Sequence, residues 1–553
     1  MIRSLKSLGL LLALVGASVS SVGQSKDYPS YAELTTRLQH LAAQYSKHAS
    51  LTTIGKTATG KEVWLLTLGR ENATNKPALV IAAGVEPKNL AAIEMSLMMA
   101  ERLLQSAQVQ DSVLKLLQTK TIYILPNLNP DATEQYHEKL RWERTGNAQP
   151  ADEDRDGRIF EDPFEDLNND GLITQMRIQD STGLYIPSAV DPRVMVLADP
   201  SKGEKGVYRV LSEGIDNDKD GRWNEDPEGG VHFNKNFSYD FPNFQEGAGE
   251  HPMSERETKA FADFLFESRN VYAVFVLGAA NTLTIPWEST ATNAQKGVTT
   301  GLLEKDKRVN HLVSELYKKS VSAQGAASTK PGPGDVIQWA YFHYGRYSFG
   351  TPAWWHPPVA LSSDSATASA ALSEYEDVNF LRWAEHEDVP GVFIPWQKIK
   401  HPDFPGQTVE IGGLVPYVKF TPPKHLLAPF AQKHLQFFTA FAMAMPSLKI
   451  TSLTTQVAGK GMTRVIAEVE NTGNLPTHSE MGERSSWVQK VKITLQLEDD
   501  QKLTEGTRIK VYPALPAGGK VQVSWLVSGT GFVTVEAHSP MAGTQTKEIL
   551  LKR

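Results

Sequence analysis

Two short runs without polar alternation limit what this chain can fold into. Ala78 to Ala83 ends at Gly84, and Thr121 to Leu125 is stopped by Pro126. Such runs suit strands buried on both faces, as in a mostly parallel sheet. Between them Ala91 to Leu104 reads as an apolar-rich helix. Strand, helix, strand predicts an α/β sheet with right-handed crossovers. Ligands in such sheets sit beyond the carboxyl ends of the strands. The turn Gly84 to Asn89 occupies such an end.

The pattern extends on both sides. Tyr31, Leu34, Leu38, Leu41 and Ala42 predict a helix within Tyr28 to Ser50. Leu51 to Gly55, Val63 to Leu68 and Val271 to Leu277 read as strands. Ser254-Glu255-Arg256-Glu257 has the spacing of a capping box and opens a predicted helix to Glu267. Residues 323 to 334 read as a loop, and a helix over Leu426 to Met445 stops at Pro446. From Ser447 the composition changes to short alternating runs. They are Lys449 to Leu453, Thr463 to Val469, Val488 to Leu497, Arg508 to Tyr512, Val521 to Val527 and Gly531 to Ala537. This spacing predicts an immunoglobulin-like β-sandwich over 447–553.

The N-terminus predicts export. Arg3 and Lys6 precede an apolar run from Leu8 to Val19 and then small residues to Gly23, the layout of a signal peptide over 1–23. No later run is long enough to span a membrane, so a soluble protein in the periplasm or outside the cell is expected. Removing 1–23, with its two cations and no anion, moves the net charge from −7 to −9. That balance disfavours nucleic acid as a partner. With no cysteine in the chain, disulfides, thiolate catalysis and thiolate zinc sites are excluded.

Residues 146 to 232 are acidic, glycine-rich and poor in aliphatics. Three segments share one spacing: Asp152-x-Asp154-x-Asp156-Gly157, Asp166-x-Asn168-x-Asp170-Gly171 and Asp216-x-Asp218-x-Asp220-Gly221. Oxygen ligands at positions 1, 3 and 5 with Gly at 6 form the front half of a calcium loop. The usual Glu at position 12 is replaced by Pro163, Arg177 and Pro227. Asp162 and Asp226, at position 11 of the first and third loops, are the expected substitutes, and Asp162 or Glu165 could serve the second. Without a cation, these clustered carboxylates would repel one another.

Between about Tyr28 and Pro446 the chain resembles a bacterial subgroup of the M14 (funnelin) zinc carboxypeptidases. The resemblance rests on Asn129-Pro130-Asp131, Arg141 with Arg144, Asn234-Lys235-Asn236, the Pro252-x-Ser254-Glu255-x-Glu257-Thr258 helix start, Trp339-Ala340-Tyr341 and Val409-Glu410-Ile411-Gly412-Gly413. It implies a doubly wound α/β fold with a mixed sheet over 24–446, carrying the acidic segment as an insertion. The family's first zinc ligands, a His and a Glu, fall on Glu86 and Asn89. Its third ligand falls within Leu277-Gly278-Ala279, and its general base falls near Pro352. The resemblance also gives Arg141, Arg144, Asn234 and Lys235 the family's substrate-binding roles, with Lys235 in place of an arginine.

A catalytic zinc needs three protein ligands and a nearby base. All four places hold other residues here. The expectation is therefore a secreted, calcium-binding pseudopeptidase that holds a peptide end or a peptide-bearing wall fragment. A carboxypeptidase with relocated ligands, and a structural protein acting through its β-sandwich, are the alternatives.

Overall fold

The computed structural model describes residues 28–150, 157–160, 162–224, 230–285, 288, 299–322, 326, 329–357, 376–459 and 461–551. The expected signal peptide lies outside them.

The central sheet is six-stranded. Its strands are β1 (Ala49–Lys56), β2 (Glu62–Leu68), β3 (Ala78–Ala82), β4 (Thr121–Leu125), β9 (Val271–Leu277) and β10 (Tyr347–Thr351). They lie in the order β1-β2-β4-β3-β9-β10. The first two pairings are antiparallel and the rest parallel, so the sheet is mixed. Every residue of β3 is buried because both faces are covered. Leu79 and Ile81 face a core shared with α1 (Tyr31–Gln44), α2 (Leu90–Ala107) and α3 (Asp111–Thr119). Ala78, Val80 and Ala82 face a second core with Phe261 and Leu265. A short helix, α4 (Pro130–Thr133), follows β4. The second core is built on α5 (Arg256–Glu267). Phe275 of β9 packs against Phe349, Phe437, Phe438 and Phe441. Removing its ring would cost about 3–5 kcal/mol.

One local expectation differs from the structure. The capping box is at α1, where Ser30 and Glu33 bond reciprocally. At α5 the N-cap is Glu255 without a side-chain cap. Ser254 Oγ instead donates to Glu255 Oε1 and accepts from Asn236 Nδ2. The acidic segment also holds four strands: β5 (Gln175–Gln179), β6 (Tyr185–Pro187), β7 (Met195–Leu197) and β8 (Tyr208–Ser212). With β11 (Phe393–Ile399) and β12 (Val409–Leu414) they make a second six-stranded sheet, ordered β11-β12-β5-β8-β6-β7. Its core is small, centred on Met176, Ile178, Val409 and Ile411. The excursion closes on itself: Asn147 N donates to Val231 O at 2.9 Å, and a Cβ on Gly146 would lie 2.6 Å from the Gly230 backbone.

From Leu448 onward two four-stranded sheets share one core. Strands β13 (Leu448–Gly459), β14 (Met462–Asn471), β16 (Lys502–Glu505) and β18 (Lys520–Ser528) form one. Strands β15 (Val491–Gln496), β17 (Ile509–Tyr512), β19 (Gly531–Ser539) and β20 (Gly543–Leu551) form the other. Strict alternation puts Val465, Ala467 and Val469 of β14 inward, against Ile493, Val533 and Val535. No helix among the described residues is long and apolar enough to cross a membrane.

Candidate functional site

The parallel strands β3, β9 and β10 end on one side of the sheet, and the first two lead into a cavity of about 270 Å³. The turn after β3 is made possible by Gly84, at φ +68°. A Cβ there would lie 2.5 Å from Asn127 Oδ1 and 2.8 Å from Asn127 Cα. Glu86 then points into the cavity and Asn89 ends the turn. Asn89 is committed elsewhere: its Oδ1 accepts from Ala92 N at 3.3 Å and caps α2.

Glu86 is held from two sides. Its Oε2 accepts from Ala279 N at 2.6 Å and its Oε1 from Asn234 Nδ2 at 3.3 Å. The carboxylate lies over Gly278, where a Cβ would come 3.2 Å from Oε2. Asn234 Oδ1 accepts from Val336 N at 3.2 Å. It therefore ties Glu86 to the start of the helix Val336–Phe342, whose N-cap Asp335 accepts from Ile337 N at 2.6 Å. Burial raises the Glu86 carboxyl above its ordinary range despite these donors. Burial also lifts Asp335 to about 7, and the charge on Glu86 adds to the rise.

The rim is basic. Lys88, Lys235 and Lys330 line the opening, and Lys235 Nζ donates to Glu246 O at 3.0 Å. His232 also lines it and pairs with Thr145 Oγ1 at 2.9 Å. Burial, with Lys235 and Lys88 adding, pushes His232 down to about 4, so it is neutral at pH 7.

The structure thus brings Glu86, Gly278, Asn234 and Lys235 together. The two arginines do not line this cavity. Arg144 donates to the carbonyls of Gly146 and Asn147, at 3.2 and 2.9 Å, and fixes its own loop. Arg141 lies 5.0 Å from the Tyr136 ring centroid and is buried. Pro352 follows β10 outside the cavity lining. Sequence reading missed Asp335. Its signal was an Asp directly before the apolar run that includes Trp339-Ala340-Tyr341, the form of an N-cap.

Of the acidic loops, Asp152, Asp154, Asp156 and Asp226 lie outside the described residues. In the second loop, Asp166 accepts from the amides of Asp170 and Gly171, while Asn168 Nδ2 donates to Asp170 Oδ2 at 3.0 Å. In the third, oxygens of Asp216, Asp218 and Asp220 lie within 4.8 Å of one another. Asp216 Oδ1 is buried without a hydrogen-bond partner. Asp162 is fully buried and accepts from the amides of Asn217 and Asn224, at 3.1 and 2.7 Å. It braces the third loop from behind.

An α/β sheet with helices on both faces and a cavity at its strand ends defines a broad class. The chain belongs to the M14 family: the model described as "Zinc carboxypeptidase" matches residues 34–179 and 206–352. Residues 447–550 match a model described as a domain of unknown function (DUF8731). Among curated proteins, carboxypeptidase D of Rattus norvegicus is 30% identical over 134 residues, 23% of this chain and 10% of that protein. Carboxypeptidase M of Mus musculus is 26% identical over 164 residues, 29% of this chain and 35% of that protein. The chain thus spans a small part of these relatives. Among solved structures, thrombin activatable fibrinolysis inhibitor aligns at 14% identity and a TM-score of 0.41, covering 77% of this chain and 78% of that one. Carboxypeptidase A of Helicoverpa armigera aligns at 14% and 0.36, covering 65% and 75%.

Proposed function

We propose that this chain is an exported, calcium-stabilised M14-family protein that binds a peptide end, or a peptide-bearing wall fragment, without hydrolysing it. The carrying observation is the bonding of Glu86. Zinc requires several lone-pair donors converging on one point. The groups bonded to Glu86 are N–H donors, from Ala279 and Asn234, and among the described residues no three carboxylate or imidazole ligand atoms converge there. Asn89 is spent on the helix cap, and position 278 has no side chain. This donor set does not fit a zinc ion, and no hydrolytic step is assigned to it.

What remains suits binding. Lys88, Lys235 and Lys330 surround a cavity whose floor is Glu86 and Asp335. A terminal carboxylate would meet the lysines, and Lys235 gives it a point charge rather than the fork of an arginine. Arg144 is engaged with its own loop, so Lys235 is the main anchor in this reading. Export rests on the charged and apolar N-terminal pattern. Calcium rests on the convergence of Asp216, Asp218 and Asp220.

The test combines metal content, cleavage and binding on the mature protein. Calcium without stoichiometric zinc is expected. So are no released C-terminal residues, and peptide binding that weakens about tenfold when the peptide is amidated or Lys235 becomes Ala. One equivalent of tight zinc together with peptide cleavage would overturn the reading. Chelation should lower Tm in the wild type and leave an Asp218→Asn variant unchanged; equal behaviour would remove calcium from the proposal.

A further inference from the structure

A larger cavity, about 930 Å³, opens beside the Glu86 cavity, and Gln245 lines both. Its inner wall is the start of α5, with Glu255 and Glu257, and the Asn147 closure of the inserted segment. Its outer wall carries Phe241 and Phe244, and the exposed Glu246 and Glu250 stand at its edge.

Arg256 lines the same wall and is exposed, but the buried carboxyls beside it are short of donors. Glu257 is 2% exposed and lines the cavity, and its Oε1 has no hydrogen-bond partner. Its Oε2 shares the Asn147 Nδ2 group, at 3.3 Å, with Glu255 Oε2, at 2.6 Å. Glu255 Oε1 accepts from Ser254 Oγ at 2.7 Å. Two buried carboxyl groups therefore divide one amide donor. A buried carboxyl oxygen without a partner is costly, and the cost is relieved by a charged N–H donor. Burial lifts Glu257 to about 7, with Glu255 and Asp131 adding to the rise.

We propose that this cavity binds an organic cation, an ammonium or guanidinium group on an apolar body, with Glu257 and Glu255 taking the charged head. A bare metal ion is the poorer occupant. The Asn147 amide donor stands between the two carboxyls. Among the described residues, acidic ligand atoms converge for a metal at Asp216, Asp218 and Asp220, and not here. The volume lies in the range of small-molecule sites. Phe241 and Phe244 offer faces for an aliphatic chain or for a cation–π contact. Both a basic side chain of a peptide and a free amine have this chemistry.

The inference does not depend on the reading of the Glu86 cavity. Calorimetric titration of the full chain with cadaverine and agmatine, against neutral 1,5-pentanediol, tests it. Saturable binding of the amines and not of the diol is expected, weakened about tenfold in Glu257→Gln, the loss of one charge-assisted hydrogen bond. Phe241→Ala, on the outer wall, should weaken binding while leaving Tm unchanged; it carries the test if Glu257→Gln fails to fold. Asn234→Ala, which alters only the Glu86 cavity, should bind amines as the wild type does. Equal affinity in wild type, Glu257→Gln and Phe241→Ala would overturn the proposal. So would equal binding of the diol, displacement of the amine by calcium, absence of saturable amine binding, or loss of binding in Asn234→Ala.

Discussion

Asp335 and Glu86 form the electrostatic centre of the smaller cavity, and their burial has a sign that can be tested. Asp335 is 4% exposed and is lifted from 3.8 to about 7. Above the lower value the unfolded chain has released this proton, and below about 7 the folded chain keeps it. The folded state then binds more protons, so stability falls as pH rises from about 4 to about 7. Asp335→Asn keeps a capping oxygen and removes the titration. Its stability relative to wild type should rise across that window by on the order of 3 kcal/mol, read from urea midpoints at pH 5 and pH 8. Parallel pH profiles for the two proteins would refute the coupling. Gly84 gives a second test at this scale. Alanine there needs φ +68° and pushes Cβ into Asn127, so Gly84→Ala should destabilise by about 2 kcal/mol or more. A change below about 0.5 kcal/mol would mean that the turn can relax. That Glu86 and Gly278 stand at the ends of strands β3 and β9 was legible, because the apolar runs that lead to them are local in sequence. The bonding of Glu86 was not, because Asn234 and Ala279 reach it from distant segments.

Elements were legible where burial was two-sided or alternation was long. Strands β3, β4 and β9 stand as read, within a residue of their expected ends. The second sheet escaped because its strands are short and half-exposed, with little aliphatic content: β6 and β7 have three residues each, and neither buries one. Strand β20 escaped for a related reason, since Thr-Gln-Thr-Lys-Glu gives almost no apolar contrast, and its pairing with β19 supplies the order. The expected cap at Ser254 failed because Asn236 competes for the hydroxyl. A short helix in the C-terminal region, Glu480–Ser485, shows the same long-range logic. Its first amides, Glu480 N and Met481 N, donate to Asp306 at 2.9 and 3.0 Å. Tyr341 Oη donates to the same carboxylate at 2.8 Å. Asp306→Ala strands three donors, two of them buried, and should cost about 2–4 kcal/mol. Hydrogen exchange should show amide protection falling first across 480–485. Loss spread evenly over the chain would argue against a local cap.

At the scale of the molecule, Asp306 belongs to a seam joining the α/β body to the β-sandwich. Tyr272 Oη of the central sheet donates to Pro476 O at 2.9 Å, and Ser479 Oγ donates to Gly345 O at 2.8 Å. The backbones approach closely at Gly345 and Gly482, where a Cβ on Gly345 would lie 2.8 Å from Gly482 Cα. Gly345 also stands at φ +71°, so alanine there is opposed by both space and conformation. A seam of buried backbone contacts couples two cores more strongly than an exposed linker would. The wild type should therefore unfold in one calorimetric transition, with van't Hoff and calorimetric enthalpies in agreement. Gly345→Ala wedges the seam apart without touching either core. It should split the trace into two transitions, the lower one from the partner that depends more on the seam. Two transitions in the wild type, or a single unshifted one in the variant, would show that the halves fold independently of this contact.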